Sequence, residues 1–409
     1  MLTLKLAWRN LFRNIRRTVL TVLLIGLSLA ALILTDSIVL GMRATMIESV
    51  THTLSGEAQV HRQGYLDTFD VDLYVPQPAL LLERLGQDPD VGGFAPRAIT
   101  GGMISSPYNV AGGLIYGVVP ERELGVSGIS SAMVEGTFLS GRPDELLMGA
   151  DLADLLEAKL GNRIVLTIAQ VDGGELSQAL FRLSGITHFG VRELDSSSVF
   201  INLADAQNAL GLGNGIHEIA IRYVVGQPTS DIKHPLLGRL NGTEAGAPTE
   251  ALGWMEFSPA MGQMVQLTQF STLILGTILF IITSFGVINS MFMSIYERIY
   301  EFGVIKALGS RPIDIVGLVL TEALLLALIS CALGMLIAGF GTWYFAENGV
   351  NFGEFEMEGI SLSSFRSVPA LHQFTNFPIY VTLLTLGAAL YPARFAARIV
   401  PTEALQKTL

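Results

Sequence analysis

The sequence predicts a polytopic α-helical membrane protein: four transmembrane helices, with a large α+β extracytoplasmic domain inserted between the first and the second. Three observations carry this. Half of the 409 residues are hydrophobic and only 15% are charged, where a soluble protein usually carries about a quarter. The apolar residues gather in four long runs, and a hydrocarbon core about 30 Å thick needs roughly 20 of them per helix. Between the first two runs lie residues 41–265, which have the mixed texture of a folded domain.

Residues 1–17, MLTLKLAWRNLFRNIRR, read as an amphipathic helix bearing Lys5, Arg9, Arg13, Arg16 and Arg17 and no acid. The first span follows at 18–40. Its apolar core exceeds the roughly 7–15 residues of a cleaved signal, so it reads as a retained anchor. The second span is 268–293. The third, 315–345, is long enough to tilt or to project beyond the lipid. The fourth, 374–397, has a shorter purely apolar core at 378–390. Residues 294–312 form a short loop between spans two and three, 346–373 a loop between three and four, and 398–409 a tail.

Positive charge orients these pieces. Arg298, Lys306 and Arg311 lie between spans two and three, and Arg394, Arg398 and Lys407 at or after the end of span four. Of the twelve Lys and Arg outside 41–265, only Arg366 lies elsewhere. The positive-inside rule then places both termini and 294–312 in the cytoplasm of an inner-membrane protein, and 41–265 outside it.

The inserted region holds 26 Asp or Glu against 13 Lys or Arg, the opposite of a nucleic-acid surface. Alternating or apolar runs predict strands at 57–61, 114–119, 163–169, 181–189, 198–202 and 218–225. Short helices are expected at 80–85, 151–160 and 203–210. The pairs Gly92-Gly93, Gly112-Gly113 and Gly173-Gly174 read as turns. Residues 226–253, rich in Gly, Pro, Asn and Thr, read as a linker back toward the membrane. No repeat of fixed period is present.

Chemistry within the chain is not expected. Among Lys5, Lys159, Lys233, Lys306 and Lys407, only Lys407 precedes a Ser or Thr, and Gln406 stands where a P-loop needs glycine. The histidines His52, His61, His188, His217, His234 and His372 form no close helical pair of the zinc type, and they read as solvated or hydrogen-bonded. No GxSxG elbow occurs. The single cysteine, Cys331, lies within span three, which rules out a disulfide framework.

The stretch YERIYEFGVIKALGSRP, residues 296–312, is the distinctive one. On a helix, Ile295, Ile299, Phe302, Ile305 and Leu308 share a face, while Glu297, Arg298, Glu301 and Lys306 project elsewhere. Gly309 ends the helix and Pro312 suits the first turn of the next. Such a segment lies in the headgroup layer or docks on a cytoplasmic partner. The acids Glu297 and Glu301 would be repelled by anionic lipid, which favours the partner. Within the spans, Glu322 is an ionisable group that is costly facing lipid; it reads as a coupling or dimer-interface residue, or as one facing polar neighbours. Asp36 reads as snorkelling to water. Ser330, Gly334, Ala338 and Thr342 make a ladder of small residues that permits close helix packing, within the subunit or across a dimer.

The residues YERIYEFGVIKALGSRPIDIVGLVLTEALLL, beginning at Tyr296, resemble the cytoplasmic loop and following helix of the MacB/FtsX/LolC-type ABC permeases. PARFAARIVPTEALQ, at 392–406, is similar to their C-terminal signature. LAWRNLFRNIRRTVLTVLL, at 6–24, resembles their amphipathic leader and first span. SGEAQVHRQGYLD, at 55–67, resembles the start of the external domain in the stand-alone lipoprotein-release type, with Glu57-Ala58 where a His-Ile pair is commoner. No ATPase domain lies in these residues, unlike the macrolide-exporter subtype, and the external domain is larger than in the cell-division subtype.

This resemblance implies a dimer of permeases, identical or paralogous, served by separate cytoplasmic ATPase subunits that bind the ATP and Mg²⁺; no cofactor is expected in this chain. It implies that Glu297, Arg298, Glu301, Phe302, Gly303, Ile305, Lys306 and Gly309 form the element that meets the ATPase. It also implies mechanotransmission to the external domain, acting on a lipoprotein or other amphiphile, with a periplasmic acceptor as a further partner. The rival expectation is an envelope signalling or scaffold subunit that activates a partner without transport. A secondary transporter does not suit four spans that have no broken-helix repeat.

Overall fold

The computed structural model describes residues 2–171, 173–224, 234–242, 245–357 and 360–400. The chain divides into two compact units. One comprises Met1–Ala44, Val265–Phe352 and Ser364–Leu409, and the other Thr45–Met264 and Gly353–Ser363.

The first unit is helical. A leader helix, Leu2–Leu11, precedes long helices at Ile15–Val50, Pro259–Glu297, Pro312–Asn348 and Leu371–Arg398. All four are long and apolar enough to cross a membrane. They also outrun the apolar stretches that mark them. At 1.5 Å per residue, the 36 residues of the first helix extend about 54 Å, well beyond a hydrocarbon core. Nothing after residue 40 breaks that helix until Gly56, whose φ of +74° ends a final π-helical turn at Thr51–Ser55. Hydrophobicity locates the lipid-embedded part, whereas helix breakers locate the ends.

Lipid is as apolar as leucine, so these helices associate through close fit and polar pairing. Ser330, Gly334, Ala338 and Thr342 are all buried, and the inner part of this ladder faces the first span of the same chain. A methyl group added at Gly334 would stand 2.6 Å from the Gly26 carbonyl oxygen, and one at Gly26 would stand 3.0 Å from that of Ser330. At the other end of the first span, a Cβ at Gly41 would meet the Arg366 carbonyl at 1.8 Å.

Asp36 does not reach for water as expected. It accepts a hydrogen bond from Gln373 Nε2 at 2.7 Å and lies 3.6 Å from His372 Nε2. The adjacent Ser37 donates to Gln373 Oε1 at 2.8 Å. Polar side chains on span four satisfy the carboxylate inside the bundle, so it need not snorkel.

The second unit is built on a ten-stranded mixed sheet: β1 Ala58–Arg62, β2 Val91–Ser105, β3 Val110–Val118, β4 Met133–Gly136, β5 Glu145–Gly149, β6 Arg163–Ala169, β7 Leu176–Thr187, β8 Ser198–Asn202, β9 Glu218–Tyr223 and β10 Thr249–Gly253. Their order is β10-β1-β9-β2-β3-β8-β5-β7-β4, with β6 pairing β2 and β7. The β3–β8 and β5–β7 pairs are parallel. One core gathers Val60, Leu85, Ile219, Ile221 and Leu236. A second gathers Ile104, Ile115, Leu146, Ile164 and Val199.

Two glycine pairs read as turns lie inside strands. Gly92-Gly93 sits at a bulge in β2, and Gly112-Gly113 is within β3. At Gly92, Gly93 and Gly113 the reason is close approach. A Cβ at Gly113 would fall 2.4 Å from the Ser197 carbonyl, and one at Gly117 would fall 2.2 Å from the Ala206 methyl. The described part of the expected linker is also structured. His234 caps a helix at Pro235–Leu240, and β10 forms the sheet edge. Residues 226–233 and 243–244 of that linker, Val225, and the tail and C-terminal signature from 401 onward, Lys407 included, lie outside the described residues.

A buried ionic row staples β1, β9 and β2. His61, Glu218 and Arg97 are successive cross-strand neighbours. Arg97 donates Nη1 to Glu218 at 2.8 Å and binds both oxygens of Glu123 at 2.7 and 2.8 Å. His61 Nε2 lies 3.4 Å from Glu218.

Candidate functional site

The residues singled out at 294–312 form a sharp bend between two membrane helices. The second span ends at Glu297. Arg298 then leaves helical geometry at φ −114°, ψ 16°, and a nine-residue helix follows at Ile299–Ala307. Gly309 adopts φ +93°, which glycine tolerates and L side chains resist. Pro312 opens the next helix, whose Asp314 accepts the Arg311 N–H at 3.0 Å.

Arg298 is the hub of this bend. It is buried, although the amphipathic reading turned it away from the apolar face. Its Nη1 donates to Glu322 at 2.9 Å and its Nε to Glu301 at 3.1 Å. The guanidinium lies 5.0 Å above the Phe302 ring, and Ser294 donates to the other oxygen of Glu322 at 3.4 Å. Glu322 therefore faces a cation and a hydroxyl within its own chain. A desolvated charge needs such pairing and hydrogen bonding to be tolerated.

The two acids expected to repel anionic lipid are both neutralised from the leader segment. Arg17 Nη1 binds Glu297 at 2.5 Å, helped by Asn14 at 3.3 Å, and Arg13 pairs with Glu301. Burial pushes the Glu301 carboxyl up, but hydrogen bonds from Arg13 and Arg298 outweigh it and hold the pKa below the usual range. The repulsion argument accordingly loses its force. Lys306 donates to the carbonyls of Ala397 and Ile399 at 2.9 and 2.7 Å, at the C-terminal end of span four, where cations are favoured.

The bend's apolar face is not free for a partner. Ile295 and Phe302 are buried in the core of the helical unit with Leu11, Ile315 and Ala396, and Gly303 is buried beside them. Ile305 is partly buried. Leu308 departs from this face because it follows the helix end, and it is 83% exposed. Tyr296, Tyr300 and Ile313 are exposed with it. The cis partners Arg13, Asn14 and Arg17 escaped the sequence reading, which used Arg13 and Arg17 only for orientation. One signal was available: a lone Arg ending one span and a lone acid within the next imply each other. No cluster of His, Cys, Asp or Glu able to hold a metal occurs among the described residues.

Four spans, a mixed α/β insertion between the first two and an ion-paired bend between the middle two define a membrane subunit of the permease class. Residues 18–233, more than half the chain, match the MacB-like periplasmic core domain, and 273–401 match the FtsX-like permease C-terminal domain. The chain belongs to the MacB/FtsX/LolC-type permeases of ABC transporters. It is 23% identical over 402 residues to the lipoprotein-releasing system transmembrane protein LolC of Xylella fastidiosa strain Temecula1, covering 94% of this chain and 92% of that protein. The LolC protein of Neisseria meningitidis is 21% identical over 420 residues, covering 95% and 94%. The macrolide export ATP-binding/permease protein MacB of Shewanella oneidensis is 35% identical over 133 residues, which are 32% of this chain and 18% of that one. The crystal structure of the periplasmic region of MacB from Actinobacillus actinomycetemcomitans covers 54% of this chain and 95% of its own, at 11% identity and a TM-score of 0.37.

Proposed function

We propose that this permease couples ATP hydrolysis in a separate cytoplasmic ATPase to movement of its inserted domain, and so extracts a lipoprotein or other amphiphile from the inner membrane. The observation that carries the coupling is the construction of the bend. Arg298, Glu322, Arg13, Arg17 and Lys306 tie it to the leader, to span three and to the end of span four. A push on a braced element moves several helices together, whereas a push on a loose loop is absorbed locally. The ATPase, which holds the ATP and Mg²⁺, meets the exposed residues Tyr296, Tyr300, Leu308 and Ile313. Of the residues first assigned to coupling, Phe302 and Arg298 brace this surface from behind. The bend and both termini face the cytoplasm, the inserted domain faces the periplasm, and a second permease completes a dimer. Similarity to LolC proteins along nearly their full length supports the lipoprotein or amphiphile class of client.

Mild-detergent affinity purification from native membranes, with mass spectrometry of everything retained, tests the assembly. A stoichiometric P-loop ATPase and a second permease are expected. Their absence after crosslinking through a cysteine placed at Leu308 would refute the coupling role. Reconstitution with that ATPase then tests the task. A lipid-anchored client should leave the membrane when ATP is hydrolysed; retention of every client would favour a signalling subunit.

A further inference from the structure

The helical unit contains a crevice of about 400 Å³ lined by the first, second and fourth spans, within the size range of small-ligand sites. Its walls are mainly apolar, with polar groups at two levels. Leu32, Phe280, Phe377 and Tyr380 line one end and Asp36, Thr272 and His372 the middle; Val39 and Leu40 follow, and Arg43 and Thr268 stand at the other end. Leu32 and Arg43 are eleven residues apart on one helix, about 16 Å along its axis, close to half the thickness of a hydrocarbon core. The crevice is therefore one leaflet deep, and its polar end is the end from which the chain continues into the inserted domain.

Arg43 supplies the second observation. It is half-buried and makes no ion pair among the described residues. Asp36, the acid in the same wall, is already engaged by Gln373 and His372 and lies seven residues away, about 10 Å along the helix. A partly desolvated cation beside an apolar slot is stabilised by an anion, and the described residues supply it no ion-pair partner. Guanidinium matches phosphate with paired, charge-assisted hydrogen bonds. We infer that this crevice is a binding site for one phospholipid, its phosphate on Arg43, its ester region level with Thr272 and His372, and an acyl chain running toward Phe280 and Tyr380. A neutral amphiphile of the same chain length would leave Arg43 without a counter-charge. The inference does not depend on the transported client or on the ATPase, so it stands or falls apart from the proposed function.

The test uses the full chain purified in detergent, with native mass spectrometry during titration by phosphatidylglycerol, by diacylglycerol of the same chain length and by glycerol phosphate. Phosphatidylglycerol should be retained at one per chain. Arg43→Gln should weaken this by about tenfold or more, the scale of a charge-assisted hydrogen bond, and diacylglycerol should bind the parent chain no better than it binds the variant. Thr277→Trp, which fills the exposed side of the crevice, should displace the lipid with Arg43 intact. Circular dichroism should show unchanged helix content in both variants. Equal retention by the parent chain and Arg43→Gln would overturn the inference. So would equal binding of diacylglycerol, or competition by glycerol phosphate as strong as that of the intact lipid.

Discussion

Arg298 and Glu322 face each other at 2.9 Å with side chains only 6% and 5% exposed, one at the end of the second span and the other inside the third. Bringing two charges together out of water stabilises little in itself, but removing one partner strands the other. Arg298→Met or Glu322→Leu alone should therefore destabilise the protein by about 3–5 kcal/mol. The double variant should recover most of that loss, because two apolar groups of similar volume replace a satisfied pair. Thermal unfolding of the detergent-solubilised chain measures this as a double-mutant cycle. Additive losses would show that the two residues do not act as a pair.

The leader tether has different energetics. Arg13 and Glu301 are each nearly half exposed, and exposed pairs contribute at most about 1 kcal/mol. The Arg17–Glu297 pair is more sheltered, at 18% and 31%, so charge reversal at Arg13 and Arg17 together should lower the unfolding temperature modestly. On the proposed coupling role, it should also free the leader from the bend and lower ATP-coupled activity. Reversing Glu297 together with Arg17 should restore the part lost at Arg17; Glu301 also accepts from Arg298, so its reversal is no clean swap. Loss of activity at Arg17 with no rescue by the Glu297 swap would mean that these side chains matter individually and not as a pair.

The sequence showed the membrane helices because each is a continuous apolar run, a signal independent of tertiary context. It also showed β8 at Ser198–Asn202 and the helix at Leu203–Leu210 with their observed bounds, since an apolar run followed by amphipathic spacing is local information. The long strand β2 was hidden. Its Gly92, Gly93, Pro96, Gly101 and Gly102 have the composition of a loop, and at Gly92, Gly93 and Gly102 close neighbours that no local pattern records leave no room for a side chain. At the bend, the sequence marked an amphipathic segment but not which of its faces the bundle covers: Phe302 is buried and Leu308 exposed. Phe302 looked like a docking residue because amphipathic spacing says that a face is apolar and not what covers it. The pairing of Arg13 with Glu301 spans 288 positions and has no local trace.

The ladder in span three yields a graded prediction. At Gly334 a side chain would collide with the Gly26 carbonyl, whereas a Cβ at Gly339 or Gly317 meets nothing within 4 Å. Overpacking of this kind costs about 1–3 kcal/mol or more, and Gly→Ala in an open helical position stabilises by roughly 0.5–1 kcal/mol. Gly334→Leu should lower the melting temperature and disrupt the contact of spans one and three, while Gly339→Ala and Gly317→Ala should be neutral or slightly stabilising. A crosslink between cysteines at Leu29 and Leu333 reports the contact directly. An undiminished crosslink in Gly334→Leu would show that the two helices separate more easily than the close approach implies.

The inserted domain should lose stability as the pH falls, in two windows. Burial lowers the His217 pKa from the usual 6.5. Its Nδ1 accepts the Ile99 N–H at 3.0 Å and its Nε2–H donates to the Val71 carbonyl at 2.9 Å, a pattern that requires the neutral ring. The unfolded chain therefore binds a proton below pH 6.5 that the folded one refuses. The stability held above that value declines as pH falls from 6.5 toward the folded pKa. Burial pushes the Glu218 carboxyl up, but the His61 contact and Arg97 outweigh it and leave it below the usual 4.5. Its contribution is present above 4.5 and is lost as pH falls from there through the lowered value. Hydrogen exchange on the full chain at pH 7.0 and pH 5.5, corrected for intrinsic rates, should show amides of β1, β2 and β9 opening more often at the lower pH. His217→Gln keeps a donor and an acceptor without a titrating ring, and should remove most of that difference. A difference of the same size in the variant would place the acid sensitivity elsewhere in the domain.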